Sequence, residues 1–226
     1  MTRDTEQLIR QLAQNAGPVR PLAEPYTRAA IWLAISTCYI AVVALVMPAH
    51  GDLSLKFSES SYVIEQIATL ATGIAAATAA FATTIPGHSR GWTLLPLFPF
   101  AVWLGSLGPG CAQEMKRFGL HALPLQHSLW CFPFIVLLGA VPALAMTVML
   151  RRGPPLTPHL TAALGGLAAA GVGNVGVRIV HPEDVSVMLV LWHVGGVMAL
   201  CALAATAGRY MLNWRLIIPA SENTVR

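Results

Sequence analysis

The sequence predicts an all-α fold: a polytopic membrane bundle of six transmembrane helices with both termini in the cytoplasm. Two observations about composition and one about charge placement carry this expectation. Charged residues make up 11% of the 226 residues and hydrophobic ones 55%, whereas a soluble domain has roughly a quarter charged residues to face water. Six apolar runs, at about 29–47, 63–84, 94–110, 129–150, 160–178 and 186–208, approach the roughly 20 residues that carry a helix across the hydrocarbon core. Backbone polar groups must pair internally in lipid, and Ala, Leu, Gly and Val fill these runs without period-two alternation, so helices are predicted over strands. Finally, ten of the fourteen Lys and Arg residues fall on one side of this six-span reading and four on the other. The positive-inside rule then places both termini in the cytoplasm.

Along the chain, residues 1–27 form a polar cytoplasmic tail, 28–209 the six-helix domain and 210–226 a second cytoplasmic tail. In DTEQLIRQLAQ, Asp4 followed by Gln7 resembles a capping box. The short helix it opens has a narrow apolar stripe of Leu8, Ile9 and Leu12, suited either to the membrane surface, as an anchor for the first span, or to a soluble partner's groove. Pro18, Pro21 and Pro25 then predict an extended approach to the first span. Breakers separate the spans: Pro48 to Asp52, Pro86-Gly87, Pro109-Gly110, Arg151 to Pro155 and His181-Pro182. Pro96, Pro99, Pro133 and Pro142 fall inside spans three and four, where neighbouring helices can satisfy the freed carbonyls. In the fifth span Gly165, Ala169 and Gly173 recur every four residues, as do Gly166 and Ala170. Small residues at this spacing let helix backbones approach closely. Gly195, Gly196 and Ala199 offer the sixth span a matching face. Packing within the chain is the expected use, with a homodimer seam as the alternative.

No secretory signal peptide is expected, because the first apolar run is too long and lacks a cleavage site. The pI near 9.1 reflects cytoplasmic loops, so no direct nucleic-acid contact is expected. No GxSxG, HExxH, phosphate loop or Rossmann fingerprint is present, and no enzymatic activity or cofactor is expected. Polar residues near the outer face remain. Glu65, Asn174, Arg178 and His193 form a candidate buried polar cluster, since ionisable groups at membrane depth face the bundle interior. A Glu65–Arg178 pair with a neutral His193 would serve structure; a sensing or binding pocket is the alternative. The four cysteines form no CxxC pair. Cys38 and Cys201 lie in apolar runs as small core residues. Cys111 and Cys131 flank an outer loop that includes His121 and His127. They invite either a disulfide, if the Cα atoms come within about 7 Å, or thiolate and imidazole ligation of zinc or copper by Cys131 with His127 or His181.

Five stretches in register, LIRQLAQNAGPVRPL, LATGIAAATAAFATTIPG, SLWCFPFIVLLGAVPAL, RRGPPLTP and HPEDVSVMLVLWH, resemble the NrsF family, negative regulators of the extracytoplasmic-function sigma factor sigma-F. The resemblance implies a bacterial inner-membrane anti-sigma factor. Such a protein holds its sigma factor at the cytoplasmic face and releases it under heavy-metal or oxidative stress, with cysteines taking part. Cys131 matches the family's cysteine in SLWCFPF. The last outer loop departs from the family pattern, reading VHPEDV with His181 and no cysteine. A sensing group built on Cys131 would therefore draw on Cys111 or His181. The partner-binding residues expected in the tail are Leu8, Ile9, Arg10, Leu12, Val19, Arg20, Pro21 and Leu22. The rival reading is a small transporter or channel subunit that uses the outer polar cluster. It would need polar residues spread through the membrane depth or inverted repeats, and neither is evident.

Overall fold

Each of the six apolar runs is a helix in the computed structural model, which describes residues 3–15, 22–47, 53–87, 89–118, 131–153, 156–180 and 187–211. In chain order the α-helices are α1 (Arg3–Asn15), α2 (Pro25–Val46), α3 (Leu53–Ser58), α4 (Ser60–Ala82), α5 (Leu97–Phe118), α6 (Cys131–Leu150), α7 (Pro158–Val180) and α8 (Val187–Met211). A 3-10 turn at Arg90–Leu94 precedes α5. No strand occurs among the described residues. Four helical segments are long and apolar enough to cross a membrane: Pro25–Val46, Ser60–Ala82, Gly91–Gly108 and Pro158–Val180. Shorter apolar stretches, Val136–Leu150 and Val194–Gly208, lie within α6 and α8.

The prolines account for most differences from the expected boundaries. Pro25 is the first residue of α2 rather than part of an extended approach, since a missing N–H costs nothing at that position. Pro96 precedes α5 and Pro99 falls in its first turn, for the same reason. Pro109-Gly110 does not end the third helix, which runs on to Phe118. A proline removes one amide donor and crowds one carbonyl, so it bends a helix more readily than it stops one. Pro86-Gly87 does close α4, with Gly87 at φ +87°, a conformation that glycine adopts without steric cost. Asp4 lies inside α1 rather than ahead of it as a cap. The short helix α3, absent from the expected elements, braces α4 through Phe57 set edge-on to Tyr62 at 5.5 Å.

Helix α7 is the centre of the bundle. It is two-thirds buried, at 67% of its apolar window, because glycines on several faces let three neighbours approach. A Cβ at Gly171 would lie 3.1 Å from the Gly73 backbone in α4, and one at Gly173 would lie 3.2 Å from the Gly139 Cα in α6. A Cβ at Gly166 would meet Ala204 of α8 at 3.2 Å. The small-residue stripe is thus used within the chain. The matching face of α8 differs from the one expected: a Cβ at Gly195 or Gly196 would meet nothing within 4 Å. Leu200, Cys201, Ala204 and Gly208 face α7 instead. Helix α2 is fixed to α6 by Trp32 Nε1, which donates to the Pro142 carbonyl at 2.9 Å, and by Tyr39, which donates to the Leu137 carbonyl at 2.8 Å.

Candidate functional site: a tail helix and two buried arginine clamps

Helices α4 and α7 run antiparallel, and one register holds along their length. From the Gly73–Gly171 contact, moving eight residues back on α4 and seven forward on α7 reaches Glu65 and Arg178. Moving ten residues in the opposite direction on each reaches Thr83 and Thr161, whose hydroxyls share a hydrogen bond of 2.8 Å. The register therefore delivers an acid and a base to one depth. Arg178 Nε donates to Glu65 Oε1 at 3.1 Å and Nη2 to Oε2 at 3.1 Å, a bidentate fork that suits guanidinium and carboxylate planes. Both side chains are buried. The Tyr62 hydroxyl donates to the Arg178 carbonyl at 3.0 Å, and its ring lies 5.2 Å below the guanidinium. Asn174 is buried one turn away on α7. His193 lies within α8, but its side chain is outside the described part. Of the expected polar cluster, the structure joins Glu65 to Arg178 directly.

A second clamp, which the sequence reading missed, sits at the opposite end of α4. Arg28, one of the ten basic residues that the charge split assigns to the cytoplasmic side, is only 5% exposed. It reaches across from the first turn of α2, donating through Nη1 to Thr84 Oγ1 at 2.9 Å and through Nη2 to the Met149 carbonyl at 2.7 Å. Its guanidinium lies 4.4 Å from the Phe81 ring centre, a cation–π distance. One side chain thereby ties α2, α4 and α6 together. The available signal was an arginine at the head of an apolar run, paired with an aromatic and a threonine at the tail of another.

The tail meets the bundle beside this clamp. Gly153 has no room for a side chain, since a Cβ would lie 2.9 Å from Leu22 Cδ1 and 3.2 Å from Thr84 Cβ. Leu22, expected among the partner-binding residues, is thus packed partly against the turn after α6. Further out, α1 forms as expected, with Leu8 56%, Ile9 51% and Leu12 64% exposed. Arg10 lies on the same helix, 4.0 Å from Glu6. Val19, Arg20 and Pro21 lie outside the described residues.

Cys131 is the first residue of α6. Cys111 lies inside α5, seven residues short of its end, rather than at a helix terminus. Their side chains, and His121, His127 and His181, lie outside the described part, and with them the expected disulfide and the expected metal ligands. Among the described residues no three His, Cys, Asp or Glu side chains converge as a metal site. Cys38 is exposed on α2 and Cys201 is half-buried on α8.

A family model described as "Negative regulator of sigma F", NrsF, matches residues 12–214. The anti-sigma-F factor NrsF of Caulobacter vibrioides (strain NA1000 / CB15N) is 30% identical over 218 residues, covering 93% of this chain and 99% of that protein. No solved structure matches.

Proposed function

Because the chain belongs to the NrsF family of negative regulators of sigma F, we propose that it is an anti-sigma factor embedded in the bacterial inner membrane. In this reading it crosses the bilayer six times, with both termini in the cytoplasm. It holds an extracytoplasmic-function sigma factor through α1 and the following residues up to Leu22, and releases it under heavy-metal or oxidative stress. Cys131 at the outer end of α6, with Cys111 or His181, senses the stress. Glu65 and Arg178 satisfy each other, which favours a structural clamp over a transport path.

The observation that carries the proposal is the apolar stripe of α1, where Leu8, Ile9 and Leu12 are each at least half exposed. Burying a side chain of this size contributes roughly 1.5–3 kcal/mol, so a three-residue stripe binds modestly by itself. Confinement to the membrane raises the effective concentration of the tail for a partner that also touches the loops. The test is Leu8→Asp with Leu12→Asp in cells carrying a target-gene reporter. The expected result is constitutive expression with unchanged membrane levels of the protein; full repression would move docking to the loops or the C-terminal tail. Reporter fusions at Met1 and Arg226 check the orientation in the same strains. Periplasmic activity at either end would overturn it.

A further inference from the structure

Helices α6, α7 and α8 leave between them an apolar cavity of about 240 Å³. Met146, Leu150, Ala162, Gly165, Leu203 and Ala207 line it. Its volume exceeds the roughly 150 Å³ at which a dry apolar cavity takes up benzene, so a longer hydrocarbon segment fits. Leu203, 66% exposed, stands at its lip, so the space opens to the outside of the bundle. The cavity lies toward one end of the bundle. Leu150 is the last residue of α6, Ala162 is in the second turn of α7, and Ala207 is four residues from the end of α8.

At that same end α6 is followed by two arginines and α7 opens with a histidine. Arg151 and Arg152 follow Leu150 directly and are exposed. His159 is in the first turn of α7, with Nδ1 hydrogen-bonded to the Ala205 carbonyl at 2.7 Å. The N-terminus of α7 adds the positive end of a helix dipole. An apolar slot with a cationic rim has the amphipathic pattern of a phospholipid, and basic pockets between helices on the cytoplasmic side hold anionic headgroups. We propose that this cavity binds one anionic phospholipid of the inner leaflet. An acyl chain lies between α6, α7 and α8, and the phosphate faces Arg151 and Arg152. The inference rests on the membrane-spanning reading above and adds a ligand to it.

The experiment uses the full chain, purified in a mild detergent and offered phosphatidylglycerol or phosphatidylcholine, with bound lipid counted by native mass spectrometry. The wild type should retain one phosphatidylglycerol in preference to phosphatidylcholine by about twenty-five-fold, roughly fivefold for each of the two arginines near the headgroup. Arg151→Gln with Arg152→Gln should bring the two lipids to parity, and Ala207→Leu, which fills the slot, should reduce retention of both. Thr147→Leu, on the same lining, is the second filling variant should the first fail to fold. Equal retention of both lipids by the wild type overturns the proposal, as does undiminished phosphatidylglycerol in a folded filling variant. These readouts involve no sigma factor, so they fail independently of repression. A chain that stays monomeric and soluble without detergent would instead sink the membrane reading itself.

Discussion

Replacing Glu65 by Met leaves the Arg178 guanidinium buried at 2% exposure with its carboxylate partner gone. Methionine is close to glutamate in size, so the change removes charge and acceptors without opening a large cavity. Breaking a buried ion pair from one side costs about 3–5 kcal/mol, and a centred charge in a membrane helix costs roughly 2.5–3.5 kcal/mol on insertion scales. Both scales place Glu65→Met near a loss of about 3 kcal/mol, with Arg178→Met similar because it strands the carboxylate. The double variant behaves differently. It removes both charges together, and replacing a buried pair by apolar side chains of similar volume is often neutral, so it should lie within about 1 kcal/mol of the wild type. The Tyr62 hydroxyl keeps its acceptor in every variant, since it binds the backbone carbonyl of residue 178. Unfolding of the purified protein by a denaturing detergent, with membrane abundance in cells, measures the three variants. If the clamp is structural, the double variant also represses its target as the wild type does. Single variants no less stable than the double would refute the reasoning. So would a stable, abundant double variant that fails to repress, which would give the pair a role in signalling.

Arg28→Lys keeps the charge but loses the planar fork over Phe81, and should cost about 1–3 kcal/mol in the same unfolding assay; an unchanged midpoint would mean the clamp contributes nothing. Gly171→Ala places a methyl 3.1 Å from backbone atoms of Gly73 and Thr69, which no side-chain rotation relieves, and should cost about 1–3 kcal/mol. Gly195→Ala meets nothing within 4 Å and should be neutral or stabilising by up to about 1 kcal/mol; the reverse order would contradict the helix packing. Cys131→Ser should blunt induction of the target gene by cadmium or an oxidant more than Cys38→Ser or Cys201→Ser, because Cys131 is the cysteine that the NrsF resemblance singles out and it opens α6, whereas the other two lie within α2 and α8. A normal response in Cys131→Ser with a lost response in either of the others would reassign the sensor.

The six apolar runs and the Glu65–Arg178 contact were legible for the same physical reason. Lipid offers no hydrogen bonds, so a backbone at membrane depth must coil, and an ionisable side chain there must find a partner within the bundle. With Glu65 and Arg178 the ionisable residues expected inside apolar runs near one end of the bundle, few pairings were open. Arg28 was not legible, because an arginine at the head of a span reads equally well as a loop charge. Only the fold shows Thr84, Met149 and Phe81 converging on it. The α8 face failed for a related reason. Gly195 and Gly196 advertise close approach just as Gly171 and Gly173 do, and sequence spacing does not say which small residues a neighbour will meet.

The two clamps sit at opposite ends of α4. Glu65 and Thr84 are nineteen residues apart, about 28 Å along a helix axis, close to the thickness of the hydrocarbon core. At one end the helix is tied to α7, and at the other, beside the Leu22 contact, to α2 and α6. A rod fixed at both ends resists local bending, so in the proposed reading a stimulus at the end of α4 near Glu65 would reach the tail through α4 only if one clamp had a second arrangement. Cys131 opens α6, and Met149, which accepts from Arg28, lies in the last turn of the same helix. Along that helix the proposed sensor connects to the inner clamp without involving the Glu65–Arg178 pair. Pro142 leaves α6 one amide donor short on that path, and the bond from Trp32 to its carbonyl holds the helix against α2 at the same place.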